Sequence, residues 1–201
     1  MARRAVDFLE RVRAPEGGAP ILLPGFARDA HAAHWVGYDR PPELVPNAGI
    51  VGLLCKLGID HPWREATAAR VWEWIGSEDL EAHAILDATI FVESAPDRER
   101  AKSAAQKLRE ALGRAAWFKW DRGAAGYGLT PLEFAPTPAS FCRSWFEDRL
   151  IERWLDHLAA EQQADGGWPI TWSPPGPASE LEWRGLFTVK ALRTLRAYGR
   201  L

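Results

Sequence analysis

Apolar residues recur along this chain at spacings of three and four, and no stretch alternates apolar and polar positions over the length of a strand. The first stripe is Ala5, Phe8, Leu9 and Val12, which predicts a helix over 2–13. Pro15, Gly17, Gly18, Pro20, Pro24 and Gly25 break it, and residues 27–38 carry a weak helical pattern. After Pro41, Pro42 and Pro46, Asn47 reads as the N-cap of an apolar helix over 48–58 that Gly58 ends. Ala68, Val71, Trp72 and Ile75 predict a helix over 63–76. Ala82, Ile85, Leu86, Ala88, Ile90 and Phe91 predict one over 79–94 that is apolar nearly all round and therefore central. Ser94, followed by Pro96, Asp97 and Glu99, opens an outer helix whose inward positions are small: Ala101, Ala104, Ala105 and Leu108.

Residues 118–142 read as a long irregular connection, with Gly123, Gly126, Gly128, Pro131, Pro136 and Pro138. A connection of that length is typically a lid or a binding loop. A helix over 146–162 follows, with Glu147-Asp148 in its first turn and Leu150, Ile151, Trp154, Leu155 and Leu158 on one face. A last helix over 180–198 carries Leu186, Phe187, Val189, Leu192 and Leu195. The pattern is that of an all-α protein of about eight helices in a single domain, 1–201.

Two segments match at a fixed offset of 149 residues. Residues 6–20 read VDFLERVRAPEGGAP and residues 155–169 read LDHLAAEQQADGGWP. Asp7 aligns with Asp156, Leu9 with Leu158, Glu16 with Asp165, Gly17-Gly18 with Gly166-Gly167, and Pro20 with Pro169. Self-similarity at a fixed offset marks a repeat architecture. Each copy places a pair of glycines, which tolerate φ > 0, just past the end of an amphipathic helix. A glutamine at that helix end can reach backbone groups that have lost their intrahelical partners.

The later copy, Gln162-x-x-x-Gly166-x-Trp168 with Leu158 ahead of it, resembles the glutamine–tryptophan repeat of the squalene–hopene and oxidosqualene cyclases. Those enzymes share an α/α-toroid of concentric helices with the β subunits of protein prenyltransferases. The family's repeat has an aromatic residue before the leucine, where this chain has His157; the early copy has Arg13 in place of the glutamine and Ala19 in place of the tryptophan. The offset approximates three hairpin units of about fifty residues. The resemblance thus implies an α/α-toroid-like array of about four helix hairpins, an open or incomplete toroid that a homodimer would complete. It also implies a hydrophobic small-molecule ligand, isoprenoid or polycyclic, and chemistry of the cyclase, isomerase or lyase kind.

The family's reactive motifs are missing. No Asp-x-Asp-Asp is present to protonate an alkene, and no Asp-Asp-x-x-Asp to hold magnesium and diphosphate. Cys55 and Cys142 have no His or Cys at ligand spacing, so neither zinc nor any other cofactor is expected. Cys55 sits in an apolar run, and both thiols are expected to be reduced, in a cytoplasmic protein. The formal net charge of −2 argues against a nucleic-acid partner. No apolar run approaches the ~20 residues of a membrane span.

The excess of tryptophan, 11 residues, fits helix packing or an aromatic-lined cavity. Trp63, Trp72, Trp74, Trp145 and Trp154 have core spacing, which leaves Trp35, Trp120, Tyr127 and Trp183 as substrate-binding candidates. His83 and Asp87 are four apart on the near-apolar helix, so an acid/base pair there is the first catalytic candidate and a buried hydrogen-bonded pair its structural alternative. Glu182 is the third, unless it is simply a first-turn charge. His31 and His34 have metal-like spacing without further ligands. A non-catalytic toroid, or a carbohydrate-active one with a cleft of Trp and carboxylates, would carry the same pattern.

Overall fold

The computed structural model describes residues 1–37, 40–77, 79–124 and 126–201, with the side chain of His34 outside the description. The described residues form eight α-helices, with three short 3₁₀ turns and no strand. Their contacts gather into two compact units, Met1–Ala116 and Trp117–Leu201.

In the first unit, α1 (Ala2–Arg11), α2 (Leu44–Lys56), α3 (Pro62–Trp74), α4 (Ala82–Ser94) and α5 (Arg98–Leu112) surround one core. The near-apolar helix is central as its sequence predicts: α4 buries Ala82, Ala84, Ile85, Ala88, Phe91 and Val92 between α2 and α5. Its crossing with α2 is the closest in the unit. A Cβ on Gly52 would lie 2.5 Å from the carbonyl carbon and oxygen of Ile90. Helix α5 buries only the small stripe Ala101, Ala104, Leu108, Ala111 and Leu112, as expected of an outer helix.

Several predicted boundaries move. Residues 27–37 form no α-helix, only the 3₁₀ turns Phe26–Arg28 and Ala33–Trp35; Tyr38, the last residue of the predicted helix, lies outside the described residues. The outer helix starts not at Ser94 but after Asp97, whose carboxylate caps the amide of Arg100 at 3.0 Å. Cys55, expected to be buried, is half-buried, and no disulfide joins it to Cys142.

The second unit holds α6 (Pro131–Phe134), α7 (Asp148–Ala160) and α8 (Pro177–Ala197). The segment 118–142 is not structureless. The Leu129 amide donates to Trp117 O at 2.7 Å and the Lys119 amide to Leu129 O at 2.8 Å, which ties its first half into a closed loop. Thr130 and Glu133 then form a reciprocal capping box that starts α6. Phe118, Phe134 and Phe146 pack their rings together 5.5–6.3 Å apart.

The two glycine corners have the same hydrogen bonds in the same register. The Ala14 amide donates to Gly18 O (3.0 Å) and the Gly17 amide to Ala14 O (2.9 Å). One offset later, the Gln163 amide donates to Gly167 O (2.9 Å) and the Gly166 amide to Gln163 O (2.8 Å). Gly17 and Gly166 hold φ of 100° and 83°. The helices before them end at equivalent residues, Arg11 and Ala160, and Val6 and Leu155 are each 1% exposed.

The likeness extends to the helix that follows. The peptide after each Gly-Gly is buried, and a polar side chain of the next long helix takes its amide: Ala19 N donates to Asn47 Oδ1 at 2.8 Å, Trp168 N to Thr188 Oγ1 at 3.1 Å. Both side chains also donate to the carbonyl four residues back at 2.8 Å, Thr188 to Arg184 inside α8 and Asn47 to Glu43, which precedes α2 across the non-helical Val45. Asn47 therefore does not cap α2 as expected. It lies inside the helix, fully buried, and its Nδ2 also donates to Ala19 O at 2.9 Å.

In the later copy Trp168 fills the place of Ala19. Its Nε1 donates to Leu158 O at 2.7 Å, and Gln162 Nε2 spans the corner to Gly166 O at 3.0 Å. The glutamine thus serves a carbonyl of the corner itself and not, as its position predicts, a group at the end of the helix. Arg184 adds hydrogen bonds to Gln163 Oε1 (2.6 Å) and to both oxygens of Asp165 (2.9 and 2.7 Å).

Two measurements test this account. Asn47→Ala strands both polar groups of the buried Ala19 peptide and lowers stability by about 2–4 kcal/mol. Thr188→Val strands one, at the more open corner, and costs about 1 kcal/mol. Urea unfolding of the two variants gives the order, which reverses if the corners are not anchored this way. Gly52→Ala pushes α2 off the backbone of α4 and costs about 1–3 kcal/mol in the same assay.

Candidate functional site

Where α2 and α4 begin and α3 ends, the first unit has a half-open cleft of about 670 Å³. Ile21, Leu44, Val45, Leu80 and Ala84 give it an apolar lining, with the indoles of Trp35 and Trp74. Arg40, Glu43, Asp79, Glu81 and His83 supply charged and titratable groups.

The beginning of α4 positions the chemistry. Glu81 is its N-cap, and its Oε2 accepts from the His83 amide (2.9 Å) and its Oε1 from the Ala84 amide (2.7 Å). The same carboxylate meets the His83 ring, Oε2 to Nδ1, at 2.6 Å. Burial pushes the Glu81 carboxyl up, but the hydrogen bonds from the His83 ring and the two amides outweigh it and hold the group below its usual range. A carboxylate fixed by two backbone amides can therefore orient an imidazole that is itself about one-third exposed to the cleft.

Of the predicted residues, the cleft brings together His83 and Trp35. Asp87 lies one turn beyond His83 and faces α2: a Cβ on Gly49 would stand 3.2 Å from its Oδ1. It does not line the cleft, and the carboxylate on the His83 ring is Glu81. Burial pushes the Asp87 carboxyl up to about 6, with the charge of His83 pulling it down and that of Glu81 adding to the rise.

The remaining candidates belong to the second unit. Glu182 is exposed on α8. Tyr127 and Trp183 both meet Trp172 edge-on, at 5.6 and 5.3 Å, while Trp120 packs on Phe118 at 4.7 Å. All three rings also remain exposed, Trp120 by 44%, Tyr127 by 38% and Trp183 by 41%. His31 turns its Nδ1 to Asp29 O at 2.6 Å, and the side chain of His34 lies outside the described residues. Among the described residues no group of three or more His, Cys, Asp or Glu is placed to hold a metal ion, and no helix is long and apolar enough to cross a membrane.

Sequence reasoning missed Glu81, Trp74 and Arg184 as site or corner groups. The signal for Glu81 was its place just ahead of the apolar run, which is an N-cap position.

No protein-family model matches the chain, and no curated protein or solved structure matches it.

The raised Asp87 carboxyl has a pH signature. Between its ordinary value of 3.8 and about 6 the unfolded chain releases the proton and the folded chain keeps it, so stability falls as pH rises and stays lower above that window. Asp87→Asn removes the buried charge and stabilises the protein at pH 7.5 by about 2 kcal/mol, with little change near pH 4. Thermal melts of both proteins at the two pH values show the difference, and an equal effect at both would place the carboxyl in water.

Proposed function

We propose that this chain is a helical-repeat protein of the α/α-toroid kind that binds an apolar small molecule, isoprenoid or polycyclic, in the cleft of its first unit. The Glu81–His83 pair supplies the acid or base there. The observation that carries the reading is that pair on the wall of a half-open, largely apolar cleft that also holds two indoles. Small-molecule sites combine an apolar lining with a few converging polar groups, and this cleft has the volume of one. The matching corners support the toroid part of the proposal, because each joins an amphipathic helix to the next, longer one through the same anchored peptide.

In this reading His83 holds or accepts a proton at its Nε2 edge while Glu81 fixes the ring through Nδ1. The indoles of Trp35 and Trp74 add apolar surface for the ligand, the Trp74 ring already carrying the Arg70 guanidinium 5.5 Å from its centroid. Asp87 contributes through its charge on His83 and not by contact with ligand. A second reading, a saccharide site, is favoured by one observation: the cleft is half-open and sets Glu43, Asp79 and Glu81 around its two indoles.

The test pairs binding with turnover. Farnesyl diphosphate, squalene in detergent and cello-oligosaccharides are each offered to the protein, with binding followed by melting temperature and products by mass spectrometry. The isoprenoids raise the melting temperature of the wild type. Leu80→Arg, which fills the cleft, abolishes the rise. His83→Ala keeps binding and loses any product. A shift with oligosaccharides alone establishes the second reading. Isoprenoid binding that persists in Leu80→Arg removes this cleft as the site.

A further inference from the structure

We infer that the outer face of α8 is the contact surface for a second copy of this chain, with the two α8 helices antiparallel across a two-fold axis. The inference stands on the second unit and does not depend on the cleft.

The shared corner sets the register between the repeats. Asn47 and Thr188 do the same work, so Ala48 in α2 corresponds to Val189 in α8, and Val51 to Leu192. In the first repeat these positions are covered: Ala48 and Val51 are 0% exposed, and Gly49 and Gly52 beside them meet Asp87 and Ile90 of α4. In the second, among the described residues of that unit, no helix covers the equivalent face. Val189 is 54% exposed, Leu192 38%, and Leu186 and Leu181 on the same side are 43% and 66%. At 100° per residue these four side chains share one half of the helix, opposite the buried Ala191, Thr194 and Leu195. A helix with apolar residues on both sides is covered on both sides.

Charge selects the occupant. The exposed half carries Glu182 near the start of α8 and Arg193 near its end, and neither has an ion-pair partner among the described residues. A two-fold axis level with Phe187 and Thr188 sets Glu182 against Arg193 of the partner subunit, twice. The same axis sets Leu186 against Val189 of the partner subunit. It brings Leu192 level with the gap between the partner's Leu181 and the partner's Gly185; a Cβ on Gly185 would meet nothing within 4 Å. One surface is thus complementary to itself, which is the requirement of an isologous dimer. A copy of α4 would fit poorly, because Lys190 and Arg193 stand where α2 has Gly49 and Gly52 and keep another backbone at a distance.

Analytical ultracentrifugation of the full chain from about 1 to about 200 µM tests the inference. The wild type passes from monomer to dimer within that range. Val189→Glu with Leu192→Glu, at positions 54% and 38% exposed, shifts the midpoint upward at least about tenfold, while circular dichroism confirms the fold. Glu182→Arg and Arg193→Glu each weaken the dimer, and the double exchange restores it. A monomer at every concentration overturns the inference and assigns the face to a different partner. So does a dimer that Val189→Glu with Leu192→Glu leaves intact, or single charge reversals that the double exchange fails to rescue.

Discussion

A buried peptide outside a helix has to find hydrogen-bond partners, and the peptides of Ala19 and Trp168 show how this chain provides them. Each lies just past a reversal where the chain has left one helix and not yet entered the next. No strand runs beside either. The partner comes from the following helix, as Asn47 or Thr188, and that one bond decides which turn of the long helix lies against the corner. Because the same side chain also bonds the carbonyl four residues earlier, its rotamer is fixed locally. The corner thus sets the register of the next helix.

The sequence showed that the corners correspond, since backbone geometry there depends on the order of a few small residues that the offset preserves. It did not show what anchors them. Asn47 reads as an N-cap because a proline precedes it and an apolar run follows, and only the fold reveals that its amide reaches back to Ala19. The segment 118–142 was readable in part: Thr130-Pro131-Leu132-Glu133 has the spacing of a capping box, a signal that the density of glycine and proline around it obscures. The loop closure between Trp117 and Leu129 leaves no such trace, because backbone pairing is indifferent to side-chain identity.

The candidate site shows how a small boundary error alters chemistry. With the near-apolar helix started at residue 79, Glu81 counts as a helical position facing away from His83, and Asp87 becomes the natural partner by i,i+4 spacing. The helix starts at Ala82. As N-cap, Glu81 folds its carboxylate over the first turn and reaches the imidazole two residues on. Asp87 is then left against Gly49, where its carboxyl has lost water without gaining an ion-pair geometry. The aromatic candidates separate for a different reason: composition identifies indoles but not their neighbours, so Trp35 lies on the cleft while Tyr127 and Trp183 meet Trp172 edge-on in the second unit.

From one corner geometry the two repeats diverge at a few positions that decide what lies next to the long helix. Gly52 lets α4 approach α2 until backbone meets backbone, Gly49 makes room for the Asp87 carboxylate, and the neighbouring Ala48 and Val51 are fully buried. A contact of that kind excludes water and needs no charge pairing. In α8 the corresponding residues are Lys190 and Arg193, with Val189 and Leu192 in place of the small pair. Long cationic side chains hold a neighbour away along one side of that face, while the apolar residues beside them are exposed. Such a face fits a partner with carboxylates at its margin and a narrow apolar centre. Helix α8 reversed end for end presents that combination, so the change from glycine to basic residues turns an internal packing face into one suited to a copy of itself.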